Sequence, residues 1–374
     1  MNVNTIKFFD KYLGNIACGF LRMFSSKSEL EGINPSRILV LQFWGVGETI
    51  LTLPAIRALG KRFPKAKIDV LATSRNKDVY FMNDDVSNIL ELKLGVGSVL
   101  KFILKNKYDL VVDMEEYLNV SSIISFFVGV NRIGFLDRIR GGMYNKAVFY
   151  NDKQHTIDTF LDLVSLVDAK LKVNKLIPVK YSKDDAKLVS GFMKEHDLGG
   201  NFIVGIAPGA AESARSRIWS MARYAKVANE LVSKYDAKII FIGNDKEKEH
   251  VQNVVNLVKK NAVNSAGVFS LKQLFAFVKK CNVVISNDSG PMHIAAAQGV
   301  KTIGLFGPNT PVRWAPYGVG NISIYKNVFC SPCIHTHLGI VPECKWAVTD
   351  ERHVHCMKNI SVEDVLEGFK KLVS

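Results

Sequence analysis

The apolar run RILVLQF at 37–43 is followed at once by the helix-like TLPAIRALGKRF, and this alternation recurs along the chain. IDVLA, NILEL and DLVVDM are further apolar runs separated by helical or loop material. A strand that alternates with polar residues has one wet face. A continuous apolar strand is buried on both, which a parallel sheet covered by crossover helices requires. A second series begins after the Lys-rich segment near 170–184 with FIVGIAPG (202–209). The spacing of Ala222, Ala225, Val227, Ala228, Leu231 and Val232 predicts a helix from about Ser220 to Tyr235. KIIFIGN, a helix bearing Val251, Val254, Val255 and Val258, the helix SLKQLFAFVKKC, and the strands VVIS and TIGLFG complete it. The chain is therefore expected to be α/β, with two doubly wound domains and a central cleft, and its 374 residues suit two cores. The boundaries read from sequence are 1–180, 181–350 and 351–374. The last piece ends in SVEDVLEGFKKLVS, with Ser361 as N-cap and Glu363 and Asp364 in the first turn. That terminal helix is expected to pack back on the first domain.

A hydrophobic content of 48% against 22% charged residues excludes a disordered chain. The net charge of +14 favours anionic partners. No nucleic-acid-binding signature accompanies it and the lysines spread over helix faces, so nucleic acid is not an expected partner. No run of eighteen apolar residues is present to span a membrane. The opening MNVNTIKFFDKYLGNIACGFLRMF lacks the pattern of a signal peptide. Ile6, Phe9, Leu13, Ile16 and Phe20 predict an amphipathic helix over 3–24. It has two readings: docked on the protein's own core, or lying on a membrane with Lys7, Lys11 and Arg22 toward headgroups. The expected location is cytoplasmic, with the six cysteines reduced.

Ligands of open parallel sheets sit beyond the carboxyl ends of the strands, and three such ends carry chemistry. In QFWGVGETILTLP, Gly45 and Gly47 permit a tight turn and Glu48 opens a helix. A first-turn acid can equally just complement the helix dipole. In IAPGAAESARSRIWS, Ser213, Arg215, Ser216 and Arg217 suit a phosphate, or form a solvated basic loop. In NVVISNDSGPMHIAAAQGVKTIGLFGP, the residues Asn287, Asp288, Ser289 and Gly290 stand where a helix N-terminus favours an anion. His293 one turn later reads either as a site residue or as a core histidine.

These segments, with IGLFGPNTPVRWAPYG and ILVLQFWGVGETILTLPAIRAL, resemble glycosyltransferase family 9, the ADP-heptose–lipopolysaccharide heptosyltransferases, from about residue 36 to the C-terminal helix. The resemblance implies a GT-B fold of two Rossmann-like domains, acceptor in the first and nucleotide-sugar donor in the second, and inverting transfer without a catalytic metal. It implies Glu48 as the base, a position usually held by Asp. Ser289 and Gly290 would hold the donor diphosphate, with Asp288 and His293 at the sugar end. Arg217 would neutralise the leaving group where the family usually has Lys. Glu212 and Ser213 would make phosphate or sugar contacts, and Glu247 would bind the ribose. The implied acceptor is an anionic glycolipid or glycan, with peripheral contact at the cytoplasmic face of the inner membrane. Two alternatives stay open: the same chemistry on a protein or another glycan with a different donor sugar, and a non-catalytic nucleotide-sugar-binding protein. Glu115, Glu116 and Asn119 are candidates for acceptor contact.

Four of the cysteines, Cys330, Cys333, Cys344 and Cys356, form a C-x-x-C pair followed by two more, a spacing that suits a structural zinc or iron. His335, His337, His353 and His355 offer substitute ligands. The other reading is four ordinary reduced thiols.

Overall fold

The computed structural model describes residues 10–374 except 28, 29, 44, 94 and 137. The chain forms two compact units, Met1–Val173 with His337–Gly339, and Asn174–Thr336 with Ile340–Ser374. Each is built on a six-stranded parallel sheet covered by helices.

In the first unit a π-turn over Asp10–Gly14 leads into α1 (Asn15–Leu21). The 3–9 part of the expected N-terminal helix lies outside the described residues. The sheet comprises β1 (Arg37–Leu41), β2 (Lys67–Ala72), β3 (Asn88–Glu91), β4 (Tyr108–Asp113), β5 (Gly129–Phe135) and β6 (Lys146–Val148). Its order is β3-β2-β1-β4-β5-β6. In β1 and β2 every residue after the first is buried, which is why these strands read as unbroken apolar runs. Helix α2 (Val46–Arg62) follows β1, α3 (Val96–Lys105) follows β3, α4 (Asn119–Val128) follows β4, and α5 (Thr156–Ser165) follows β6. Val99, Phe102 and Ile103 of α3 and Ile124 and Val128 of α4 pack over Leu39, Leu41, Leu71 and Val111 of the sheet.

The second unit opens with α6 (Lys183–Glu195), closed by a Ser182–Asp185 capping box. Then come β7 (Ile203–Ala207), α7 (Met221–Tyr235), β8 (Lys238–Phe241), α8 (Lys248–Val255), β9 (Ala262–Asn264), α9 (Leu271–Val278), β10 (Val283–Asn287), α10 (Gly290–Ala297), β11 (Lys301–Phe306), β12 (Ile322–Tyr325) and α11 (Val362–Val373). The order β12-β11-β10-β7-β8-β9 repeats the first sheet's topology. Ser361 and Asp364 make the capping box of α11. Helix α11 belongs to this unit, which corrects the expectation that it folds back on the first domain. Val365, Phe369 and Leu372 are buried in the core with Ile303, Leu305 and Val227, and Lys326 pairs with Asp364 at 2.6 Å. The apolar stripe of α11 needed a partner, and the nearest uncovered sheet surface, beside β11 and β12, supplies it.

The carboxyl end of β4 carries a buried ionic network. Asp113 accepts hydrogen bonds from Arg140 Nη2 and the Tyr144 hydroxyl, both at 2.6 Å, and Arg140 also donates to Ser121 Oγ at 3.0 Å. Neither Asp113 nor Arg140 has any exposed side-chain surface. Leaving one such partner alone in the interior costs about 3–5 kcal/mol, so the pair locks the 139–143 turn to the end of β4. Two residues on, the Glu115 carboxylate accepts the Phe43 N–H at the end of β1. Burial pushes the Glu115 carboxyl up to about 8.

Glu115 therefore holds a proton in the folded protein where the unfolded chain has lost it. Its cost is absent below the unfolded value of 4.5 and grows as pH rises toward about 8. Glu115→Gln keeps an oxygen for the Phe43 N–H. It should leave stability unchanged near pH 5 and raise it at pH 9, removing a slope of up to about 1.4 kcal/mol per pH unit. Urea unfolding at both pH values checks this; equal effects at both would mean that Glu115 is ionised in the folded state.

Candidate active site

In the first unit, the turn after β1 depends on Gly45, whose φ of +59° is unfavourable for any residue with a Cβ. Thr49 closes the turn from both sides, its N–H donating to Gly45 O at 3.0 Å and its hydroxyl at 2.8 Å. Asn76 Nδ2 donates to Gln42 O at 2.9 Å and to Thr49 Oγ1 at 3.0 Å, while Thr73 Oγ1 donates to Phe43 O at 2.8 Å. Thr49, Thr73 and Asn76 were not singled out by sequence reasoning. They come from two separate segments, and only a contact between the turns after β1 and β2 reveals them. On this braced turn Glu48 stands half-buried in the first turn of α2.

Buried Glu115 and Glu116 complete a carboxyl-rich strand end. Burial pushes the Tyr80 and Tyr117 phenols far up, so both stay neutral. Asn119 has a different task from acceptor contact. Its Nδ2 donates to Asp10 O at 2.8 Å and Asn15 Oδ1 at 3.0 Å, which ties α4 to the N-terminal segment.

In the second unit, the ends of β8, β7 and β10 lie side by side. Asn287 ends β10 with no exposure, donating through Nδ2 to Pro208 O at 2.8 Å and Gly209 O at 3.1 Å. Its Oδ1 accepts from Trp219 N at 3.2 Å and the Tyr224 hydroxyl at 2.8 Å. Asn287 is thus a fastener between two strand ends. The next residue, Asp288, is buried, and its Oδ2 accepts from Asn309 Nδ2 at 2.8 Å and lies 3.3 Å from Arg217 Nη1. Arg217 Nη1 also donates to Asp288 O at 3.1 Å. Arg217 keeps 17% of its side chain exposed, while its Nε is buried without a partner.

Ser289 is the N-cap of α10 but its side chain does not cap the helix; the hydroxyl lies 3.0 Å from Ser286 Oγ. Pro291 has no N–H and the Met292 N–H donates to Ser289 O at 3.2 Å, so the affinity of this helix end for negative charge rests on the N–H groups ahead of Pro291, at Ser289 and Gly290. His293 is buried, edge-on to Trp314 with ring centres 6.2 Å apart. Beside β7, a Cβ on Gly209 would stand 2.0 Å from Glu247 Oε1, so only glycine lets this carboxylate lie over the strand end. Glu247 Oε2 accepts from Asn244 N at 2.8 Å, and burial raises its pKa. Glu212 and Ser213 fall in the 3-10 turn Glu212–Arg217, but their side chains lie outside the described ones.

The second unit also gathers Cys330, Cys333, Cys344 and Cys356 around one cavity of about 60 Å³. Cys344 Sγ accepts the Val354 N–H at 3.3 Å, and Cys333 N donates to Pro308 O at 2.9 Å just beyond β11. The four present soft sulfur donors, the ligand type of zinc and iron, to one void, but among the described residues no three of these sulfurs come within 4.8 Å of one another. Of the histidines offered as substitutes, His353 Nδ1 is 2.8 Å from Trp346 O and His355 Nε2 is 3.1 Å from Asn359 Nδ2. His337 lies in the first unit, stacked on Tyr150.

Comparison with known proteins agrees with this geometry. The profile of glycosyltransferase family 9 (heptosyltransferase) matches residues 96–338. The lipopolysaccharide core heptosyltransferase OpsX of Haemophilus influenzae is 26% identical over 348 residues, covering 90% of this chain and 97% of its own. Among solved structures, E. coli ADP-heptose LPS heptosyltransferase II superposes with a TM-score of 0.71 at 20% identity, over 90% of this chain and 98% of its own. TibC from enterotoxigenic E. coli H10407, an iron-containing dodecameric glycosyltransferase, superposes with a TM-score of 0.58 at 12% identity, over 93% and 77%. The two repeated sheets are thus those of the GT-B fold, and the chain belongs to glycosyltransferase family 9, the heptosyltransferases.

Proposed function

We propose that the protein transfers heptose from ADP-heptose to a lipopolysaccharide-core saccharide at the cytoplasmic face of the inner membrane. The observation that carries this reading is the strand-end group of the second unit. There a partly exposed arginine, Arg217, is aimed by the buried Asp288 beside the uncapped N-terminus of α10. Such a group suits a diphosphate that gains charge as it leaves. OpsX, a lipopolysaccharide core heptosyltransferase, and the E. coli ADP-heptose enzyme support these acceptor and donor classes.

In the proposed mechanism Glu48 takes the proton from the acceptor hydroxyl as its oxygen attacks the anomeric carbon. The bond from that carbon to the diphosphate oxygen breaks, and the nucleoside diphosphate leaves with the electron pair. Arg217 and the N–H groups at Ser289 and Gly290 stabilise it. A single displacement inverts the anomeric centre. Asp288 acts through Arg217 and Asn309 as a positioning residue. His293 lines the sugar end, and Glu247 accepts from the ribose hydroxyls. The acceptor is lipid-linked, which gives the +14 charge a partner.

We propose further that Cys330, Cys333, Cys344 and Cys356 hold a structural iron or zinc. The shared cavity and the N–H bond to Cys344 support this, as does the iron content of TibC. The metal would tie together the near and far parts of the segment between β12 and α11, and takes no part in transfer.

Glu48→Gln should leave the calorimetric affinity for ADP-heptose intact and lower turnover by about 10²–10⁴; near-normal turnover would remove Glu48 from the base role. Arg217→Ala should weaken ADP binding by about tenfold to a hundredfold, the 1.5–3 kcal/mol of a charge-assisted hydrogen bond. Titration of the native protein with ADP, UDP and GDP gives the base preference, and binding of none would favour a non-catalytic protein. Metal analysis of protein purified without affinity tags should find about one iron or zinc per chain. Cys333→Ser with Cys344→Ser should lose it and lower the melting temperature. A metal-free native protein of equal stability would leave four free thiols.

A further inference from the structure

Helix α1 docks by its small side. Gly14 sits so close to α4 that a Cβ there would come within 2.6 Å of Asn119 Cβ. Cys18 is buried with Sγ 3.3 Å from Ser122 Oγ. The Asp10 carboxylate accepts the Asn119 and Val120 N–H groups at 2.9 and 2.8 Å, capping α4 from outside. Docked this way, α1 and its flanks turn their large apolar residues outward: Leu13 is 60% exposed, Ile16 71%, Phe20 58%, Met23 68% and Phe24 65%. This decides between the two readings of the N-terminal stripe for the described residues. The stripe is not the face that docks.

The neighbouring helices repeat the pattern. In α4 the polar Ser121, Ser122 and Ser125 are buried without exposure. The apolar Ile123 and Phe126 are only half-buried and Phe127 is exposed, the reverse of a helix whose outer face meets water. On the other side of α4, helix α3 packs inward through Val99, Phe102 and Ile103. It leaves Val96, Leu100 and Leu104, spaced by four, exposed in a row. Helix α4 contacts both α1 and α3, so three outward apolar faces belong to one side of the first unit.

Charge identifies the occupant. None of α1, α3 and α4 carries an Asp or Glu. Lys11 and Arg22 flank α1, and Lys101 and Lys105 lie on α3 with Lys107 just beyond it. An apolar surface edged by cations and free of acids matches a bilayer of anionic lipid, with apolar side chains at acyl depth and cations at headgroups. A second copy of the chain fits poorly, since a two-fold contact would set the same cations against each other. No helix among the described residues is long and apolar enough to cross a membrane, so the contact is one of lying on it.

We propose that the outward face of α1, α4 and α3 is a docking surface for anionic membrane lipid. The proposal rests on the reading that the acceptor is lipid-linked, and it supplies the surface by which the enzyme would reach such an acceptor. The test is sedimentation of the full chain with phosphatidylglycerol–phosphatidylethanolamine vesicles and with phosphatidylcholine vesicles, without any sugar donor. Binding is expected to the anionic vesicles, and to fall with salt. Two variants, Ile16→Glu with Phe20→Glu and Leu100→Glu with Leu104→Glu, should each lower partitioning by roughly tenfold or more. ADP affinity and melting temperature should stay unchanged. Equal partitioning of the variants, or no binding of the native chain, would overturn the proposal. So would a native dimer in light scattering that the variants dissolve, which would assign the face to a second copy. Vesicle binding without any nucleotide binding would leave this surface standing and remove the transferase reading instead.

Discussion

The second unit is organised by one amide. Asn287 has two donor hydrogens and two acceptor lone pairs, and all four are used inside the protein. The partners come from the loop after β7, from the end of the segment leading to α7, and from α7 itself. A buried side chain satisfied in this way has one low-energy position, and any displacement strands polar groups in a dry interior. Everything that follows Asn287 inherits that position. Asp288 is set by its predecessor's backbone, Arg217 is set by Asp288, and the N-terminus of α10 starts two residues later. Trp219, whose N–H is held by Asn287, sits fully buried and donates through Nε1 to Ile360 O at 3.0 Å, so the fastener reaches the loop before α11.

The repeated topology allows an internal comparison. β4 in the first sheet and β10 in the second occupy equivalent places in the strand order. At the end of each stands an aspartate paired with an arginine: Asp113, the last residue of β4, with Arg140 at 2.6 Å, and Asp288, one residue beyond β10, with Arg217 at 3.3 Å. In the first pair neither side chain has any exposure, and the arginine's terminal nitrogens also donate to a serine, a tyrosine and a carbonyl, while its Nε is left without a partner. In the second the arginine is partly open and the pairing is looser. The same device therefore serves as an anchor where it is sealed and as a presented cation where it is not. Residue type alone cannot distinguish these uses; exposure does.

The fold was largely legible because burial on both faces writes itself as continuous apolar strands. β1, β2, β4, β7, β8, β10 and β11 all stand out in this way. The strands that did not are edge or near-edge elements. β6 and β9 have three residues each, half-buried throughout, and β5 carries Asn131 and Arg132 and opens with half-exposed or exposed positions. The charged strand ends were legible too, because Gly, Asp, Arg and Ser are concentrated where a parallel sheet puts its ligands. What could not be read was which polar residue points where. Asn287 looked like a ligand group and is a fastener; Asn119 looked like an acceptor contact and holds the N-terminal segment. Both depend on partners distant in sequence, as does the choice of α11 to cover its own sheet. The apolar stripe of α1 misled in another way: periodicity marks a stripe, but Gly14 and Cys18 on the opposite side decided which face docks.

Glu48 poses the sharpest chemical question, since the family usually places the shorter Asp there. An extra methylene on a rigid helix start would carry the carboxylate about 1.5 Å further out if the chain were extended. The structure shows the side chain turned back instead: Glu48 Oε2 lies 3.6 Å, and its Cβ 3.5 Å, from the point where a Cβ on Gly45 would be. The added length is taken up by folding over the glycine. A Cβ at 45 would meet Glu48 only in ordinary van der Waals contact, so the folded-back side chain does not itself exclude one; it is the φ of +59° that holds the position to glycine. Gly45 thus answers to the tight turn after β1, and the extra length of the glutamate is absorbed by the fold of its own side chain.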